Sequence, residues 1–96
     1  MSATIATRHL ALQLIRSATS AGANYHEARQ AESRADFVHK LSVAAKELSE
    51  TLYWLRLIDG LGLLAPTTQA ITREADELVA ILVASARTAR IPRMNW

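Results

Sequence analysis

The sequence predicts an all-α fold, an up-down antiparallel bundle of three long helices. Alanine and leucine, both strong helix formers, dominate a composition that is 50% hydrophobic but only 5% aromatic. Three glycines and two prolines are too few for the many turns of an all-β fold. Apolar residues recur three and four positions apart along most of the chain, as they do on one face of a helix. Because 96 residues suit one small domain, we take residues 1–96 as a single helical-bundle domain.

The first predicted helix covers residues 7–30 and carries two stripes side by side. Four polar residues spaced three, four and three apart share one face: Ser17, Ser20, Asn24 and Glu27. A stripe of mostly small apolar residues runs beside it at positions 14, 18, 21, 25 and 28. Gly22 lies mid-helix, where glycine costs about 1 kcal/mol relative to alanine. Two explanations stay open: a close helix crossing at Gly22, or simple tolerance within a long helix.

The second predicted helix covers residues 34–59 and begins at a capping box. In the segment Ser33–Asp36 the serine oxygen accepts from a free backbone N–H, and the acid three residues later reaches back. Asp36 and Lys40 have the spacing of a surface ion pair. Apolar positions alternate four and three apart, a heptad seam that predicts near-parallel packing of long helices. The seam consists of Phe37, Leu41, Ala44, Leu48, Thr51, Leu55 and Ile58.

The third predicted helix covers residues 67–90 and follows a glycine-containing stop. Gly60 or Gly62 can adopt the left-handed conformation that ends the second helix. Pro66 favours a new helix start, and Pro92 ends the third helix. Its apolar seam lies at positions 71, 75, 78, 82, 85 and 89.

The charge is mildly basic, with eleven basic residues against nine acidic ones and a net charge of +2. This is not the dense positive surface of an obvious nucleic-acid binder. No acidic residue follows Glu77, and the end of the chain carries three arginines, Arg87, Arg90 and Arg93. These arginines are candidate nucleic-acid contacts. The alternative is that they form only a solvated tail. No apolar run is long enough for a secretion signal or a membrane span, and we expect a cytoplasmic location.

The residue types and spacings that are typical of catalytic, metal and phosphate-binding sites are absent from the sequence. The chain has no cysteine, which excludes disulfides, thiolate metal sites and cysteine catalysis. His9, His26 and His39 are not at metal-ligand spacing, and the single Asp36–His39 pair is half of what a carboxylate-bridged metal site needs. The glycines are isolated, so no phosphate-binding glycine loop is present. We therefore expect no enzymatic activity, no cofactor and no metal.

Two polar or aromatic constellations leave alternatives open. The polar stripe of the first helix is expected to face Lys46, Glu47 and Glu50 on the second. This set forms either a binding surface or inter-subunit network, or, as we favour, buried hydrogen bonds that fix the helix register. Tyr53 and Trp54 lie beside Arg56 and could stack on bases, although a core or interface position is favoured.

Three segments in order resemble the bacterial four helix bundle protein family, which includes proteins encoded in intervening sequences of large-subunit ribosomal RNA genes. They read R-S-A-T-S-A-G-A-N-Y-H-E-A (16–28), S-R-A-D-F-V-H-K-L (33–41) and K-E-L-S-E-T-L-Y-W-L (46–55). The later S-A-R-T-A-R (85–90) fits one branch of that family. The resemblance spans about residues 10 to 90.

What the resemblance implies is a helical bundle that assembles into a ring-like homopentamer. Some relatives serve as accessory factors that bind nucleic acid and a reverse transcriptase in diversity-generating retroelements. The expected function is a non-enzymatic homo-oligomer, a scaffold or accessory factor; the alternative is RNA or DNA binding as a basic oligomer. The family signature positions carried over are Arg16, Ser17, Ser20, Asn24, Glu27, Phe37, Lys40, Lys46, Glu47, Glu50 and Trp54.

The chain departs from the family at its start. Family members carry an additional amphipathic helix before the R-S-x-x-S helix, whereas only residues 1–8 precede it here. Either the start was assigned late or this is a three-helix version. A three-helix version leaves an apolar groove, and covering such a groove is worth about 25 cal/mol per Å2. Self-association is therefore expected.

Overall fold

Three helices make up the protein in a computed structural model that describes residues 4–62 and 68–90, with side chains at 4–62 and 72–90. They are α1 (Ile5–Arg29), α2 (Arg34–Gly60) and α3 (Thr68–Arg90), and the described residues contain no strand. The all-α prediction is confirmed, with each end within two residues of the expected one. Pro66, Pro92 and Arg93 lie outside the described residues.

Local capping explains where the helices begin and end. The Thr7 backbone N–H donates to Thr4 Oγ1 at 3.1 Å, which caps α1 two residues before the predicted start. Ser33 Oγ accepts from the Asp36 backbone N–H at 3.0 Å and caps α2. Of the two glycines proposed to end α2, Gly62 has the left-handed conformation, with φ 72°. Its N–H donates to the Asp59 carbonyl at 2.9 Å.

The helices form an open layer with α2 in the middle. Contacts of α2 with α1 join Arg16 to Glu50 and Glu27 to Lys40, so the two helices are antiparallel. Over the described residues, no Cα of α1 comes within 8 Å of a Cα of α3. The radius of gyration is 15.8 Å, whereas about 12–13 Å is typical of a compact domain of this length. The predicted bundle is therefore open between α1 and α3.

The core is narrow and rich in alanine. Ala28, Leu41 and Ala86 form a buried cluster to which all three helices contribute, with Phe37 and Leu82 packed against it. Small side chains at the seams let neighbouring helices approach closely. The other buried apolar residues are Ala21, Ala44, Ala45, Leu52, Leu55, Ile58 and Ala75.

Several positions predicted to be apolar contacts are exposed instead. Tyr25 of the small-residue stripe and Leu78 of the α3 seam are both about half exposed, because none of the three described helices covers their side of the layer. A Cβ added at Gly22 would have no neighbouring atom within 4 Å, so the close crossing proposed there is not formed among the described residues. No helix, over the described residues, is long and apolar enough to cross a membrane.

Candidate functional site

A buried hydroxyl pair joins α1 and α2 at the centre of the predicted polar set. Ser17 is 0% exposed, and the Thr51 hydroxyl donates to its Oγ at 2.8 Å. Ser17 in turn donates to the Leu14 carbonyl at 3.2 Å. Thr51 Oγ1 also lies 2.9 Å from the Glu47 carbonyl. The partners of Ser17 are a hydroxyl and a carbonyl, neither of which activates a nucleophile, so this geometry suits helix packing.

Charged side chains flank this pair on one side of the layer. The Arg16 guanidinium contacts both Glu47, at 3.5 Å, and Glu50. Glu50 also accepts a hydrogen bond from Trp54 Nε1 at 3.3 Å. The hydrogen bond from Arg16 is the main cause that lowers the pKa of Glu50 below its usual range. These side chains are partly exposed to solvent, and ion pairs at the protein surface contribute little to stability.

The rest of the predicted polar set separates into independent contacts. Asn24 Nδ2 donates to the Ser20 carbonyl at 2.9 Å, within α1. Glu27 pairs with Lys40 at 2.7 Å. The predicted partner of Lys40 was Asp36, whose charge still helps to raise the pKa of Lys40, although the hydrogen bond with Glu27 is the larger cause.

Two residues differ from their predicted roles in this set. Lys46 is exposed and lies on the α3 side of α2, beside Arg90, rather than facing the α1 stripe. Thr51 was assigned to the apolar seam, yet it provides the hydrogen bond to Ser17. The available signal was a hydroxyl residue interrupting an apolar heptad seam opposite a serine-bearing helix.

The described part of the chain contains no candidate metal-binding site. No group of three or more histidine, cysteine, aspartate or glutamate side chains there could hold a metal ion. Every buried side-chain nitrogen or oxygen in residues 4–62 and 72–90 has a hydrogen-bond partner. The buried members of the polar set are thus hydrogen-bonded, which is typical of a network that fixes register.

The candidate nucleic-acid arginines lie at the other seam, between α2 and α3. Arg90 Nη2 donates to Ser42 Oγ at 2.8 Å. Arg34 Nε donates to the Ala89 carbonyl, one residue before Arg90. Arg87 is exposed one turn away, and Arg93 lies outside the described residues.

The fold and the ordered motifs define a helical protein of the intervening-sequence class. The chain belongs to the 23S rRNA-intervening sequence protein family, whose model matches residues 4–84. It is also similar to a crystal structure, solved at 1.70 Å, of a protein with unknown function from the S23 ribosomal protein family of Bacteroides thetaiotaomicron VPI-5482. That protein is 40% identical, with a TM-score of 0.74, over 80% of this chain and 72% of the other. No curated protein gave a significant match. The family resemblance predicted from the motifs is confirmed.

Proposed function

We propose that the chain is a self-associating helical protein that catalyses no reaction, in which each copy covers an apolar face left open by its neighbour. The observation that carries this proposal is the separation of α1 from α3. It leaves Leu78 and Ile81 of α3 50% and 58% exposed. Contiguous exposed apolar surface of this kind marks interaction sites in soluble proteins.

The exposed apolar residues of α3 and α1 line the same side of the layer. Val83 and Arg90 mark the flank of α3 that meets Ser42 of α2. At about 100° per residue, Leu78 and Ile81 lie on roughly the opposite flank.

The same reasoning applies to α1, where Arg16 and Glu27 mark the flank that holds the ion pairs. Tyr25 lies on the other flank, two residues away from Glu27. On α2, Phe37 packs against the buried cluster to which all three helices contribute, and Leu48, eleven residues later, lies on the same face of the helix. These residues define an apolar groove between α1 and α3, which we call the open groove.

A second copy of the chain fits the open groove because the chain also carries an uncovered apolar ridge. Ile5, Leu12 and Ile15 are 58–89% exposed. Their spacing of seven and three places them on the edge of α1 opposite Ser17, which faces α2. A ridge on one copy packing into the groove of the next is a heterologous contact, which generates a closed ring when the rotation between successive copies closes.

The family resemblance makes a homopentamer in the cytoplasm the specific form of this proposal. The non-enzymatic part is supported by the Ser17 set, whose hydroxyls are engaged in hydrogen bonds with one another and with the backbone.

Light scattering during gel filtration, at two protein concentrations, tests the proposal. We expect a stable mass of about five chains of 10.5 kDa. The variant Leu12→Glu places a charge on the ridge, and Ile81→Glu places one in the open groove. Each variant should lower the mass of the assembly in solution. Leu61→Glu is the matched control, since Leu61 is 58% exposed like Ile81 but lies on neither surface. A wild-type monomer that stays folded would contradict the proposal.

A second candidate function, nucleic-acid binding as a basic oligomer, is favoured by the charge distribution. Lys46, Arg87 and Arg90 have no carboxylate partner among the described residues, whereas Arg16, Lys40 and Arg56 are ion-paired. Assembly would multiply these charges. Binding of RNA or DNA that weakens steeply with salt is expected, and no binding at low salt would exclude this function.

A further inference from the structure

We infer that the seam between α2 and α3 is a binding groove for single-stranded nucleic acid, with phosphates along its basic residues and a base stacked on Tyr53. The inference rests on the second candidate function, nucleic-acid binding, and assigns that function to one surface of the protein. We call this surface the basic groove. It lies on the opposite side of the layer from the open groove, so a ring built through the open groove leaves it accessible.

The basic groove consists of two adjoining cavities that share Arg90. One, of about 210 Å3, is lined by residues that include Ser42, Lys46, Ser49 and Val83. The other, of about 620 Å3, is lined by residues that include Arg34 and His39. From Arg34 to Ser49 the groove follows α2 for about 22 Å, at 1.5 Å per residue. That length can follow several consecutive phosphates of an extended strand.

The carboxylates nearest the basic groove, among the described residues, are held in ion pairs. Glu47 and Glu50 of α2 are turned to α1, where both contact Arg16. The α3 wall contains no acid from Leu78 to Arg90. Asp76 contacts Arg56 at 3.7 Å and marks the end of the basic stretch. Among the described residues, a polyanion therefore meets positive charge and hydroxyl groups, and the nearest carboxylates are already ion-paired.

Two arginines of the groove are held in place before any ligand arrives. The Arg90 guanidinium donates to Ser42, and that of Arg34 donates to the Ala89 carbonyl. A guanidinium has five N–H donors, so the contact with Ser42 leaves Arg90 further donors for phosphate oxygens. Ordering a long side chain in advance reduces the conformational entropy lost on binding.

Tyr53 distinguishes a single strand from a duplex. It continues the groove face of α2, since Ser42, Lys46, Ser49 and Tyr53 are spaced four, three and four apart. Tyr53 is 57% exposed. Its ring is edge-on to that of Trp54, with the two ring centroids 4.9 Å apart. Of the core or interface position that the sequence favoured, Tyr53 does not occupy the core of the chain. An exposed aromatic ring at the end of a basic track can stack an unpaired base, which a duplex does not offer.

Fluorescence anisotropy with labelled RNA and DNA strands of one sequence, and with their blunt duplexes, tests the inference across a salt series. Either single strand should bind more tightly than its duplex. The double variant Lys46→Gln/Arg87→Gln should weaken binding and lower the salt slope by about 1.4, as expected for two lost phosphate contacts on a single strand. The charge-matched control Arg8→Gln/Arg29→Gln changes two exposed arginines of α1 and should have the smaller effect.

The base-stacking step has its own pair of variants. Tyr53→Ala should weaken single-strand binding at least about fivefold, while Tyr53→Phe keeps the ring and should retain the affinity. All variants are compared by circular dichroism and solution mass. Tighter duplex binding, or equal losses in the groove and control variants, would overturn the basic groove yet leave nucleic-acid binding standing. No binding at low salt would overturn both.

Discussion

The Thr51 hydroxyl donates to the Ser17 hydroxyl at 2.8 Å across the α1–α2 seam, at a point where both side chains are buried. Each residue has a further partner on its own helix, the Leu14 carbonyl for Ser17 and the Glu47 carbonyl for Thr51. Since a one-residue slip of either helix would separate the hydroxyls, this contact favours one register.

Removing one hydroxyl from this pair should cost stability. Ser17→Ala and Thr51→Val should each lower the free energy of unfolding by about 1 kcal/mol, the net worth of a neutral hydrogen bond. The double variant should lose less than the sum of the two, because the shared contact can be lost only once. Urea denaturation at one protein concentration measures all three. Strictly additive losses would mean that the two hydroxyls do not interact.

The Arg16–Glu50 contact should make stability depend on pH in the acid range. The pKa of Glu50 is lowered in the folded state, chiefly by the hydrogen bond from Arg16. The contact therefore contributes stability above the ordinary glutamate pKa of 4.5 and loses it as pH falls through the lower pKa of the folded state.

Glu50→Gln should accordingly be less stable than the wild type at pH 7, with the difference disappearing as the pH falls below 4.5 and through the lowered pKa of Glu50. Unfolding curves across this pH range measure it. Glu32→Gln is the control, because Glu32 is exposed and makes no ion pair among the described residues. A Glu50→Gln difference that is constant with pH would contradict the assignment.

Two glycines should respond to alanine in opposite directions. Gly22 lies in α1 with open space around it, so Gly22→Ala should stabilise the chain by about 0.5–1 kcal/mol. Gly62 has φ 72°, a conformation that an alanine side chain disfavours, so Gly62→Ala should destabilise it by about 1 kcal/mol. Thermal and urea unfolding compare the two. A destabilising Gly22→Ala variant would indicate that another copy packs closely at Gly22.

The contribution of the α2 N-cap to stability should be measurable separately from that of tertiary packing. Ser33→Ala removes the acceptor for the Asp36 N–H and should cost about 1 kcal/mol, whereas Ser33→Asp keeps an acceptor and should retain most stability. Helix content by circular dichroism during urea unfolding measures both. Equal losses in the two variants would show that the serine contributes something other than capping.

Sequence patterns predicted the helices well because the signals are local. The Ser33 cap and the heptad seam of α2 act within a few residues, and both appear in the structure. Predictions that needed a neighbouring helix were less complete. Lys40 was paired with Asp36 on its own helix, because spacing reveals partners within a helix and not Glu27 across the seam.

The periodicity of apolar residues could not predict that one side of the layer is open between α1 and α3. Leu78 repeats with the other seam residues of α3, which shows that they share a face. Whether a helix of the same chain covers the whole face depends on the relative placement of α1 and α3, which no local pattern encodes. Thr51 is a similar case, since its seam position was predicted but its hydroxyl contact with Ser17 was not.

The separation of α1 from α3 also governs how the chain reaches its native state. Over the described residues, Cα atoms of two helices come within 8 Å only between sequence neighbours, so the backbone forms two helical hairpins that share α2. Such a chain has low contact order, and either hairpin can form first without closing a long loop. A molecule that contacts one hairpin therefore acts on it while the other hairpin keeps its structure.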